Sequence, residues 1–210
     1  MNATPSQIRI LVVDDHPLLR QGIARLVADQ SDMSLVAEAS NGREAILQFR
    51  AHRPDVTLMD LQMPEMNGLD AIAAIRGEFP EARIIMLTTY DGDVQVLRAL
   101  KAGARAYLLK NLLRKELLET IRAVHAGKKT LSPEVSYQLA EHATDDALTP
   151  AEIAVLRLIA AGNANKQIAD QLSITEETVK GRVKNILSKL GANDRTHAAM
   201  IGLKRGIIEF

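Results

Sequence analysis

The sequence contains no cysteine, which rules out a disulfide framework. Its first residues, MNATPSQIR, lack the basic start and apolar run of a secretory signal. Nowhere is there an apolar run of about 20 residues, the length a membrane-spanning helix needs. These absences point to a cytoplasmic protein with no membrane partner. No internal repeat or low-complexity tract is evident either, and net charge is missing as well, with 26 basic against 26 acidic side chains. The balance is uneven along the chain, however: residues 147–210 hold 9 Lys and Arg against 6 Asp and Glu, leaving 17 against 20 before them. A basic rear behind an acidic front suits a nucleic-acid module joined to a metal or phosphate site.

What is present is an ordinary globular composition, 47% apolar and 25% charged, over 210 residues. Domains commonly run to roughly 100 to 200 residues, so two modest ones are expected. Up to residue 126, short β-rich runs (IRILVVDD, MSLVAEAS, DVTLMD, ARIIMLTT, AYLLK) alternate with amphipathic helical stretches such as PLLRQGIARLVAD and LRKELLETIRAVHAG. Five strands and five helices in alternation predict right-handed crossovers and a five-stranded parallel sheet with helices on both faces. The expected limits are 6–126 for this α/β domain, 127–147 for a linker, and 148–210 for a small all-α domain. Within the linker, Ser132 and Pro133 supply a cap and a first helical residue for a helix reaching about His142. Thr149, Pro150 and Glu152 then spell a capping box that opens the last domain.

Ligands collect at the carboxyl ends of strands in parallel sheets. Asp14 and Asp15 are placed at the end of the first strand, Asp60 at the end of the third, Thr88 of the fourth and Lys110 of the fifth, so all five converge on one edge. Three crowded carboxylates require protonation or a cation, and oxygen ligands around an open site suit Mg²⁺. A carboxylate can also attack phosphorus to form an acyl phosphate, with metal, ammonium and hydroxyl groups offsetting charge on the phosphoryl oxygens. Lys110 and Thr88 fit the last two roles. Met63, Pro64 and Gly68 shape the loop after Asp60.

The motifs LVVDDH, LMDLQMPEMNG, MLTTY and GARAYLLK resemble, in order and spacing, the receiver domains of two-component response regulators. That resemblance implies a flavodoxin-like doubly wound fold, with Asp60 as phosphoacceptor. It further implies Mg²⁺ held by Asp14, Asp15, Asp60 and the backbone carbonyl of Gln62. Thr88 and Lys110 would bind the phosphoryl group, Tyr107 would swing inward on activation, and a sensor histidine kinase would be the donor. Gln62 and Tyr90 flank the expected phosphoryl pocket. One departure is Asn111 after Lys110, where many receivers carry a proline.

From Leu148 the segment LTPAEIAVLRLIAAGNANKQIADQLSITEETVKGRVKNILSKL reads as helix, scaffold helix NKQIADQL, a turn at Ser173 and Ile174, and a recognition helix capped by Thr175. In that helix Val179, Val183, Ile186, Leu187 and Leu190 recur at core spacing. The opposite stripe of Lys180, Gly181, Lys184 and Asn185 suits the major groove of double-stranded DNA. The segment resembles the LuxR-type helix-turn-helix of NarL/FixJ-type regulators. By that likeness Lys180 and Lys184 contact the groove, Asn185 is a candidate there, and Lys166, Arg182 and Lys189 are candidate phosphate contacts. The last helix, capped by Asp194, resembles a pairing surface for a homodimer on DNA. RNA polymerase is a further candidate partner. The expectation is a phosphorylation-controlled transcription factor and not an enzyme beyond the self-chemistry of its aspartate. A phosphohydrolase would usually carry an acid where Gln62 stands, whereas Gly181 keeps open an interaction protein that no longer binds DNA.

Overall fold

The computed structural model describes residues 7–89, 93–131, 136–137 and 147–208. The chain divides into two compact units, 1–89 with 96–136 and 90–95 with 137–210.

Strands β1 (Ile8–Val13), β2 (Met33–Ala39), β3 (Val56–Asp60), β4 (Ile84–Thr88) and β5 (Ala106–Leu109) of the first unit alternate with helices α1 (Pro17–Ala28), α2 (Gly42–His52), α3 (Gly68–Glu78), α4 (Asp93–Ala102, of which residues 96 onward belong to this unit) and α5 (Leu113–His125). A short sixth strand, β6 (Thr130–Leu131), follows. The sheet is parallel throughout, in the order β2-β1-β3-β4-β5-β6. The sequence pattern predicts five strands; Thr130 and Leu131, expected in the linker, instead pair with Ala106 and Tyr107 on the β5 edge. Two residues are too few for a periodic signal, and only pairing reveals them. The expected linker helix from Ser132 to His142 lies largely outside the described residues, as does Tyr90.

Side chains alternate across the sheet. Ile10, Val12, Val56, Leu58, Ile85, Leu87, Ala106 and Leu108 meet Ile23 and Val27 of α1 and Leu117, Ile121 and Val124 of α5 in one core. The intervening Leu11, Val13, Met59, Ile84, Met86 and Tyr107 are equally buried. That double burial is why the strands read as apolar runs rather than alternating patterns. It also makes the carboxyl edge the place where polar side chains can stand. The chain runs from β1 outward to β2 and back across β1 to β3, so the edge between β1 and β3 is the topological switch point, where doubly wound sheets bind ligands.

The second unit contains α6 (Pro150–Ala160), α7 (Asn165–Leu172), α8 (Glu176–Leu190) and α9 (Arg195–Lys204). Three of the four starts are capped by a side-chain oxygen of the preceding residue. Thr149 accepts from the Glu152 N–H while the Glu152 carboxylate accepts from the Thr149 N–H, closing the capping box. Thr175 accepts from Thr178 N–H and Asp194 from His197 N–H. Ser173, at φ 53°, makes the left-handed turn between α7 and α8. Val155, Leu156, Ile159, Ile168, Val179, Ile186 and Ala198 form the core, with Val183, Leu187 and Leu190 packed against it. The apolar stripe expected on the recognition helix therefore faces inward. No helix among the described residues is long and apolar enough to cross a membrane.

Candidate phosphoryl and nucleic-acid sites

Strand register builds the first site. Asp60 pairs with Leu87, which sets Thr88 one residue further on; Thr88 pairs with Leu109, which sets Lys110 one further still. Asp14 and Asp15 follow the end of β1 directly. Lys110 begins a 3-10 turn (Lys110–Leu112) rather than closing the strand, and the described residues contain no cis peptide bond. Gly68 supports the arrangement, because a Cβ there would lie 2.1 Å from the Asp60 carbonyl oxygen, and its N–H donates to Leu61. The loop after Asp60 folds back onto the strand end only because that side chain is absent.

At the edge the Lys110 ammonium lies 2.8 Å from Asp14 Oδ2 and 2.9 Å from Asp60 Oδ2. Asp14 is fully buried and Asp60 is 3% exposed. Burial pushes the Asp60 carboxyl up to about 6, Lys110 opposing and the charges of Asp14 and Asp15 adding to the rise. For Lys110, burial alone would lower its pKa, but hydrogen bonds and charge from Asp14 and Asp60 prevail and raise it. One ammonium thus faces three carboxylates, and the site keeps an excess of negative charge. Thr88 is buried at the end of β4 and the Tyr107 ring is buried within β5. Gln62 is exposed two residues beyond Asp60.

Two residues without a sequence-based assignment join this edge. His16 donates its backbone N–H to Asp14 Oδ1 at 2.8 Å and sets Nδ1 2.7 Å from Asp15 Oδ1. Arg20 donates to the Asp14 carbonyl at 2.7 Å and also pairs with Glu38. The signal for His16 was its place in LVVDDH; Arg20, one turn along α1, had no local signal. A divalent cation fits the donor set. Ligating atoms of Asp14, Asp15, His16 and Asp60 lie within 4.8 Å of one another. Asp14 Oδ2, 2.8 Å from the Lys110 ammonium, and Asp15 Oδ1, 2.7 Å from His16 Nδ1, are both buried at this edge. Buried carboxylate oxygens crowded together suit a hard cation.

In the second unit Lys180, Gly181, Lys184 and Asn185 are exposed along α8, and Lys166 is exposed on α7, while Arg182 is half-buried. The exposed pair Lys180–Glu177 at 3.3 Å leaves that ammonium in solvent. Lys189 does not join this face. Its ammonium is 2.9 Å from Glu152 Oε2 and donates to the Ala147 carbonyl. Glu152 is buried; although burial works to raise its pKa, hydrogen bonds from Thr149 and Lys189 prevail and lower it. The capping role of Glu152 was legible three residues away, but its ion pair spans 37 residues and was not.

A doubly wound domain with an acid-and-lysine edge, followed by a helix-turn-helix, defines the class of protein. Residues 10–122 match the family described as response regulator receiver domain, and residues 146–201 match bacterial regulatory proteins of the luxR family. The chain belongs to the two-component response regulators with a LuxR-type DNA-binding domain, and is therefore a transcription regulator. It is 38% identical to response regulator protein VraR of Staphylococcus aureus, over 96% of this chain and 99% of that one. The crystal structure of response regulator ChrA in a heme-sensing two-component system shares 34% identity and a TM-score of 0.58, over 97% and 100% of the two chains. RcsB of Salmonella enterica serovar Typhimurium, bound to a promoter in the presence of the phosphomimetic BeF3−, gives a TM-score of 0.74 at 26% identity, over 93% and 98%.

Proposed function

We propose that a sensor histidine kinase donates a phosphoryl group to Asp60 and that this event controls dimerisation on paired half-sites of promoter DNA. The observation that carries the reading is the Lys110 ammonium bridging Asp14 and Asp60 at 2.8 and 2.9 Å on the carboxyl edge of the sheet. An Asp60 carboxylate oxygen bonds to phosphorus as the nitrogen–phosphorus bond of the donor breaks, its electron pair returning to the imidazole. Asp60 must be ionised to attack, and its pKa of about 6 leaves it mostly so at neutral pH. Mg²⁺, held by Asp14, Asp15, Asp60 and the backbone carbonyl of Gln62, would offset charge on the phosphoryl oxygens. Lys110 turns from Asp60 to one of those oxygens, the Thr88 hydroxyl binds another, and the Tyr107 ring packs in the arrangement that follows. Two states biased by a phosphoryl group are all the switch requires.

The boundaries 6–126, 127–147 and 148–210 then separate phosphoacceptor domain, linker and DNA reader. In the reader, α8 enters the major groove with Lys180, Gly181, Lys184 and Asn185, while Lys166 and Arg182 meet phosphates. Lys189, committed to Glu152, leaves the set of phosphate contacts. Contact with RNA polymerase is the route from bound promoter to altered transcription. The test is binding of a promoter library by wild type and Asp60→Asn, each with and without Mg²⁺ and beryllofluoride. Affinity and dimerisation gained by wild type alone support the reading; equal binding by both shows that the receiver does not gate DNA. If neither binds, the chain acts through protein contacts instead.

A further inference from the structure

We infer that His16 is a ligand of the cation site, and that its imidazole turns the site's preference from Mg²⁺ toward Mn²⁺. The inference rests on the metal-binding part of the proposed function. Among the described residues, the carboxylates of Asp14, Asp15 and Asp60 are joined by a single nitrogen donor in a group whose ligating atoms lie within 4.8 Å of one another. Opposite ligands around a small octahedral cation stand about 4.2 Å apart, so the four atoms need shift only slightly to share one ion.

The placement of His16 is built rather than incidental. Its N–H is fixed to Asp14 Oδ1 at 2.8 Å, which holds its Cα at the mouth of the acidic edge. Arg20 secures the same turn by donating to the Asp14 carbonyl at 2.7 Å. The ring, with Nδ1 2.7 Å from Asp15 Oδ1 and 3.3 Å from Asp14 Oδ1, is turned to the carboxylates although its side chain is 70% exposed. Exposed to that degree, it can rotate onto a cation without disturbing the core. An all-oxygen shell suits Mg²⁺, whereas imidazole nitrogen adds little for that ion and more for the first-row transition metals, of which Mn²⁺ shows the smallest gain.

The experiment uses the full-length protein, with Mn²⁺ and Mg²⁺ as separate probes. Dissociation constants are measured for wild type, His16→Leu, His16→Gln and Asp15→Asn, and electron spin-echo spectra are recorded on the Mn²⁺-loaded forms. The expected result is nitrogen modulation from imidazole in wild type, absent in both His16 variants with Mn²⁺ still bound. Mn²⁺ affinity should fall about tenfold in those variants while Mg²⁺ affinity changes less than about twofold. Wild type without nitrogen modulation, or an unchanged ratio of the two affinities in His16→Leu, overturns the assignment. If Asp15→Asn binds both ions as wild type does, the acidic cation site itself fails, a result distinct from failure of the His16 role.

Discussion

Two lysines, one in each unit, are drawn down onto carboxylates, and they do opposite things. Lys110 stands between Asp14 and Asp60 with Asp15 beside them, so one positive charge faces three negative ones and Asp60 is driven up to about 6. Lys189 faces Glu152 alone, and its hydrogen bond together with those from Thr149 lowers the pKa of that acid. A buried pair that balances holds α8 to the start of α6. A buried cluster that does not balance keeps an excess of negative charge, which a cation can relieve. Burial of a lysine says little by itself; the count of acids around it separates an open charged site from a strut.

The largest effect should come from deleting the unbalanced acid. Asp60→Asn is expected to abolish phosphoryl uptake from a small phosphodonor, read by mass spectrometry, and to reduce the activated gain in promoter affinity to background. A gain preserved in that variant would mean that the excess charge is not a phosphoryl site.

Next comes the balanced pair. Lys189→Met leaves a buried carboxylate without its partner and should destabilise the second unit by about 3 kcal/mol, with much of the loss recovered in the Lys189→Met/Glu152→Gln double variant. Denaturant unfolding of the four proteins forms the cycle. Additive losses would show that the two side chains are not coupled.

The pH dependences should run in opposite directions. Asp60 has a folded pKa raised from 3.8 to about 6, so its contribution to stability is present below the unfolded value and is lost as pH rises through about 6. Metal-free Asp60→Asn should therefore gain on the order of 2 kcal/mol over wild type at neutral pH, a difference that shrinks on acidification and that Mg²⁺ should narrow. Glu152 has a lowered pKa, so its contribution is present above the unfolded value of 4.5 and is lost as pH falls through the folded one. Thermal melts of Glu152→Gln against wild type should converge at low pH. Matching trends for the two acids would collapse the distinction between them.

The smallest effect tests α8. A Cβ at Gly181 would meet no atom within 4 Å, so Gly181→Ala should stabilise the second unit by about 1 kcal/mol. A loss of stability there would show that the glycine is required within the fold.

Much of this was legible in the chain. Strand and helix alternation, the capping box at Thr149, and the caps at Thr175 and Asp194 depend on neighbours within a few residues, and the structure has them where the local chemistry calls for them. The convergence of Asp14, Asp60, Thr88 and Lys110 was also legible, because a parallel sheet brings all its carboxyl ends to one edge whatever lies between. The places of His16, Arg20 and Lys189 were not, nor was β6.

By itself the sequence determined which segments are strands, which are helices, and which side chains can reach the end of a strand, since periodicity and capping act over one or two turns. Only the tertiary structure decided which charges meet: that Lys110 reaches two acids and Lys189 one. Those outcomes turn on contacts across 37 to 96 residues and on burial, which raises the strength of a charge pair and the penalty for an unmatched one in the same measure.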